Sequence, residues 1–139
     1  MRFSLSQALV VFALFLLVGP LAGAFFFALL VTLVSAIEGE GLGLLFLYGT
    51  LAFLPLAYLV GGLQAAFVGL ATALFGWFKG APPAWVPVAA ALAAGGLVAA
   101  RSHEQWDLTA ALVAVHVLAA FVCWALTRAL TRGRSAGRA

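Results

Sequence analysis

From Leu42 to Phe78 the chain carries no charged residue, and the run is bounded by Glu38 and Glu40 on one side and Lys79 on the other. At helical rise it extends about 55 Å against a hydrocarbon core of about 30 Å, long for one bilayer crossing and tight for two. Pro55 would leave the Leu51 carbonyl without its helical donor, and Gly61-Gly62 is a second weak point, so a kink or local unwinding is expected at one of them. A soluble domain could not hide such a run. With 66% hydrophobic and 8% charged residues among 139 and a mean hydropathy of +1.21, the chain reads as an all-α integral membrane protein.

Before that run, Met1 to Gln7 is a short polar lead with Arg2, and an apolar stretch follows from Ala8 to Ile37. Its first half imitates a secretory signal, with Ala22-Gly23-Ala24 resembling a cleavage site. Cleavage there would leave Phe25 to Ile37 too short to span, so the stretch is read as one intact helix, about 45 Å long and bent near Gly19-Pro20. Helices are expected at about 8–37, 42–78, 83–100 and 108–130, in a single membrane domain covering 1–139. Outer loops at 38–41 and 101–107 and a basic tail at 131–139 complete it. Pro82, Pro83 and Pro87 suit a loop and a first helical turn, where a missing amide donor costs least.

Charge settles the number of crossings. With four, Arg2, Lys79, Arg128, Arg132, Arg134 and Arg138 fall on one side, and Glu38, Glu40, Glu104 and Asp107 fall on the other with Arg101. A hairpin within 42–78 would move Lys79 and the arginine-rich tail outward and Glu104 and Asp107 inward. The positive-inside rule favours four crossings with both termini cytoplasmic. Arg128, Arg132, Arg134 and Arg138 are expected to contact anionic lipid, at about 1 kcal/mol per basic residue. The basic balance, pI near 9.8, does not point to nucleic acid, because no groove or helical stripe pairs these residues with stacking aromatics. Trp77, Trp85, Trp106 and Trp124 lie near segment ends, as interfacial anchors do.

Packing and polar signals are few. Gly61, Ala65, Gly69 and Ala73 recur every four residues, a small-residue ridge expected to meet the alanine-rich third helix. Thr109, His116 and Cys123 recur every seven and share a face of the fourth helix with Ala120 and Thr127. Gln64 and His116 both fall near mid-depth, and they are expected to approach one another or share a water, fixing helix register at about 1 kcal/mol. Haem ligation lacks a second histidine at matching depth. Glu38, Glu40, His103, Glu104 and Asp107 have oxygen ligands and an imidazole but no metal-motif spacing. Gly39-Glu40-Gly41-Leu42-Gly43 lacks the lysine and the strand-to-helix context of a phosphate loop. Neither a catalytic constellation nor a cofactor is expected.

The Gly19-Pro20-Leu21-Ala22-Gly23 turn and the segment Tyr58-Leu59-Val60-Gly61-Gly62-Leu63-Gln64-Ala65-Ala66 resemble segments of small, uncharacterised four-helix inner-membrane proteins of proteobacteria. In that pattern a proline often stands where this chain has Gln64. The resemblance covers the first half of the chain and implies an inner-membrane location, without an activity. Smooth packing faces and no charge within the membrane point to a non-catalytic accessory or assembly subunit of a larger membrane complex, its partners lipid, other subunits or copies of itself. The alternatives are a small transporter or channel acting as an oligomer, and a quinone or electron-transfer site built on His116. The size resembles small multidrug transporters, but those use a carboxylate in the first helix, and 8–37 has none.

Overall fold

Ser4 and Gln7 start the first helix with a reciprocal cap. The Ser4 amide donates to Gln7 Oε1 at 2.8 Å and the Gln7 amide to Ser4 Oγ at 3.3 Å, satisfying two of the donors a helix start leaves free. Helix α1 therefore begins at Leu5 rather than Ala8, and runs Leu5–Ile37. The structure, a computed structural model, describes residues 3–37, 43–99 and 106–136, without the side chains of 43–47, 53, 60, 98–99, 106–108 and 132–136. Helix α2 spans Gly43–Lys79, α3 Trp85–Ala99 and α4 Trp106–Ala136, and no strand occurs among the described residues.

The boundaries differ from the sequence reading at the start of α3 and in α4. Helix α3 starts at Trp85, not Pro83; Val86 closes a turn on the Pro83 carbonyl at 3.1 Å, and Pro87 sits in the first helical turn, where its missing amide costs least. Helix α4 takes in Trp106 and Asp107, expected in a loop, and continues to Ala136 through residues expected in the tail. Arginine and alanine propagate helix well, and positive charge suits a helix C-terminus. In α2, helix continues unbroken through both Pro55 and Gly61-Gly62, so the expected local unwinding is not found; apolar surroundings leave a backbone no better partner than its own helix. Helix α1 likewise continues through Pro20.

Gly80 ends α2. Its φ of 99° lies in the left-handed region that only glycine enters cheaply, and its amide caps the Gly76 carbonyl at 3.0 Å. The same carbonyl accepts the Phe3 amide at 3.0 Å, and the Phe3 ring lies against Gly76. The start of α1 is thereby tied to the end of α2. Trp124 Nε1 donates to the Pro82 carbonyl at 2.9 Å, which ties the end of α4 to the start of α3. Consecutive helices are thus antiparallel. Helices α1 and α3 each pack on both α2 and α4, while α2 and α4 meet across the centre.

Burial along α2 is concentrated toward one end. Phe3, Val11, Phe15, Val68, Ala73, Ala91, Ala120 and Cys123 form a buried core toward the end that carries Lys79, Trp85 and Arg128. Away from that end, none of the described side chains of α2 between 48 and 67 is buried. Leucines on all four helices remain exposed, among them Leu9, Leu33, Leu59, Leu97 and Leu130. Three helical stretches are long and apolar enough to cross a membrane: Leu5–Ile37, Gly61–Lys79 and Thr109–Thr131. The chain has the build of a multi-pass, all-α membrane protein.

Candidate functional site

Between the helices lies a half-open pocket of about 290 Å³ that all four line. Phe15, Val68, Ala91 and Cys123 close it on the packed side, and Phe27, Leu56, Ala94 and Leu112 border it on the other. From Phe15 to Phe27 it extends about 18 Å along α1. Small residues create the space: Gly19, Gly23 and Ala24 on α1, Gly61 and Ala65 on α2, Ala119 and Ala120 on α4. The lining is apolar apart from Gln64, His116 and the Cys123 thiol.

Gln64 and His116, expected to approach one another or share a water, line the same cavity, and no direct hydrogen bond joins them. His116 Nδ1 instead bonds the Leu112 carbonyl of its own helix at 2.6 Å. A carbonyl oxygen only accepts, so Nδ1 carries the proton and, in the neutral ring, Nε2 is left as an acceptor. That nitrogen lies across from Gly61, 3.7 Å from where a Cβ there would stand. Gln64 lies one helical turn from Gly61 toward the packed end. Its Oε1 is buried and, among the described residues, is the side-chain oxygen or nitrogen left without a partner in the interior. Elsewhere buried hydroxyls are satisfied locally: Thr72 donates to the Val68 carbonyl at 2.7 Å and Thr127 to the Cys123 carbonyl at 2.9 Å.

The ridge Gly61, Ala65, Gly69 and Ala73 meets α1 rather than α3. A Cβ at Gly19 would stand 3.2 Å from the Ala65 Cβ, and one at Gly69 would stand 2.7 Å from the Phe15 Cβ. Helix α1 offers its own glycine to the ridge, whereas α3 spends its close approach on α4, where Val113 sits on Gly95. Ala73 joins the buried core, and Gly61 faces the cavity. The Tyr58 hydroxyl donates to the Leu17 carbonyl at 2.7 Å, so the two segments 19–23 and 58–66 border one another. The tyrosine was not singled out from the sequence; an amphipathic ring close to the start of the ridge was the available signal.

At the packed end Arg128 lies exposed, its Cζ 5.2 Å from the centre of the Trp124 ring, a cation–π arrangement. Trp77 stacks on Phe78 and Trp85 meets Phe75 edge-on. The side chains of Trp106, Arg132 and Arg134, and Arg138 altogether, lie outside the described residues, as do Glu38, Glu40, His103, Glu104 and the Asp107 side chain. The described residues hold no cluster of metal-ligating side chains.

No family model, curated protein or solved structure matches this chain. What the site can do is therefore read from its own geometry.

Proposed function

We propose that this protein is a non-catalytic, ligand-holding module of the bacterial inner membrane, whose four helices cross the bilayer around a cavity for a small, largely apolar molecule. The cavity carries the reading. An interior lined by all four helices and holding one unsatisfied buried oxygen is costly in a bundle that only has to pack, since voids and orphaned polar groups each destabilise by about 1 kcal/mol or more. Pockets of this kind, apolar with a few placed polar groups, are where small molecules bind.

Helix α3 is the fourth crossing in this proposal. Its 15 residues rise only about 22 Å, so the bilayer thins around it or the flanking chain completes the span. Antiparallel packing of α3 on α4 supports the crossing: Pro82 meets Trp124 at one end and Gly95 meets Val113 further along. Lys79, Arg128 and the tryptophans around them mark the cytoplasmic face. The likeness of 19–23 and 58–66 to small four-helix inner-membrane proteins of proteobacteria agrees with that location.

Thermal unfolding in detergent micelles tests the cavity. Naphthalene raises the melting temperature of the wild type, as a ligand of the folded state must. It does not raise that of Gly61→Leu, whose side chain extends toward His116 and takes up the space. Gly62→Leu, at a position where a Cβ meets nothing within 4 Å, responds as the wild type does. An identical response from all three proteins contradicts the reading.

The accessory role is a second reading, favoured by the outer half of α2. Tyr48, Leu51, Leu56, Leu59 and Leu63 are exposed there, a surface that other membrane subunits or further copies of the chain would cover. Isolation in mild detergent distinguishes them: a stoichiometric larger companion supports assembly with other subunits, and a uniform small oligomer supports self-association.

A further inference from the structure

Granted that the pocket takes up apolar molecules, its shape and its opening say which. We infer that the natural occupant is one straight acyl chain of a bilayer phospholipid, threaded lengthwise from a mouth at Phe27 and Leu56 to a floor at Phe15 and Cys123.

The pocket is long for its volume. Its lining runs from Phe15 to Phe27 on α1, from Leu56 to Val68 on α2 and from Leu112 to Cys123 on α4, about 17 Å along each helix at helical rise. Its volume of about 290 Å³ is about twice that of a cavity that holds benzene, so it takes roughly twelve carbons. In single file, with bonds of about 1.5 Å at about 111°, twelve carbons advance about 14 Å and occupy most of that length. A fused-ring molecule of equal carbon number is much shorter and leaves one end void, with the wall atoms there unpartnered.

The pocket is blind at one end and open at the other. Phe15, Val68, Ala91 and Cys123 are buried, whereas Leu56 is half exposed and Phe27 and Leu112 are partly so. About 15 Å of α1 lies between Phe27 and its last residue, Ile37, and about 20 Å of α2 between its first residue, Gly43, and Leu56. Exposed leucines flank the mouth on both helices, among them Leu29, Leu33, Leu51 and Leu59. The opening therefore faces hydrocarbon rather than water, and the apolar species abundant there is the lipid tail. At that concentration mass action fills the pocket without strong affinity. No lining residue is charged, so the charged headgroup stays outside and the tail enters end-first.

Photolabelling of the full chain in vesicles tests this. The probe is a phosphatidylethanolamine with a diazirine at the end of one acyl chain, in a bilayer of phosphatidylethanolamine and phosphatidylglycerol, and adducts are mapped by mass spectrometry. Gly61→Leu fills the middle of the pocket, and Gly23→Leu fills it from the α1 wall, where a Cβ meets nothing within 4 Å. Gly62→Leu, at a position outside the lining, is the control. Adducts at Phe15 and Cys123 are expected to be at least about fivefold fewer in the two blocked variants than in the wild type and Gly62→Leu, with equal labelling of the exposed Leu59 and Leu97 in all four proteins. Palmitic acid carrying the same diazirine, at the same mole fraction, labels the floor no more than the phospholipid does. Floor adducts as frequent in both blocked variants as in the wild type overturn the acyl-chain assignment, as does labelling of the floor by the free acid alone. The cavity reading stands in either case if naphthalene still stabilises the wild type, and falls too if naphthalene does not.

Discussion

Phe15 of α1 rests directly on Gly69 of α2, where a Cβ would stand 2.7 Å from the Phe15 Cβ and 3.3 Å from the Phe12 carbonyl oxygen. Both obstacles belong to the α1 backbone or its first side-chain atom, so neither can rotate away. Gly69→Ala therefore forces the two helices apart and is expected to destabilise the bundle by about 1–3 kcal/mol, the usual range for overpacking. Gly96→Ala, where a Cβ meets nothing within 4 Å, is expected to change stability by less than about 0.5 kcal/mol. Unfolding by denaturing detergent measures both, and equal effects would refute the close approach.

Tyr58 supplies the polar tie between the same two helices. Its hydroxyl reaches the Leu17 carbonyl, one residue beyond Leu16, whose carbonyl has no helical donor because residue 20 is proline. Tyr58→Phe keeps the ring and removes the bond, for an expected loss of about 0.5–1.5 kcal/mol. In a double-mutant cycle with Gly69→Ala the losses are less than additive, because a widened α1–α2 gap already stretches the bond. Full additivity would place Tyr58 outside this contact.

Cys123 reports on the packed end of the cavity. It is the chain's one cysteine and is wholly buried, 0% exposed, with its Sγ 4.0 Å from where a Cβ on Gly19 would stand. A membrane-permeant maleimide should label it at least about a hundredfold more slowly in mild detergent than in denaturing detergent, since access requires local opening. Rapid labelling of the folded protein would show that the floor of the cavity is not closed.

Much of this architecture was legible because the chain is punctuated by charge. Glutamates, prolines and the lysine at 79 divide the apolar text into four pieces, and the four helices follow them within a few residues. The early start of α1 was also written down, as Ser4-x-x-Gln7, but a polar lead before a long apolar run draws attention away from a cap. Gln64 and His116 stood out because apolar neighbours isolate them. That they line one cavity without bonding each other depends on the rotation of α2 and α4 about their axes, and apolar helices with polar groups this sparse leave that rotation unmarked. The ridge was visible for the same spacing reason, while its partner was not: α1 and α3 both offer glycine and alanine, and the backbone approach of Phe15 decides between them. The loss of burial along α2 between 48 and 67 left no trace in composition, since exposed and cavity-facing leucines look alike.

The number and direction of crossings underlie every depth assigned to the cavity, and cysteine accessibility measures them most directly. In a Cys123→Ala background, single cysteines replace Glu40, Ala81, Glu104 and Arg134, and intact spheroplasts are treated with a membrane-impermeant maleimide. Four crossings with cytoplasmic termini predict labelling of Glu40→Cys and Glu104→Cys from outside, and of Ala81→Cys and Arg134→Cys only after the membrane is opened. Labelling of Glu40→Cys and Arg134→Cys from the same side would contradict it.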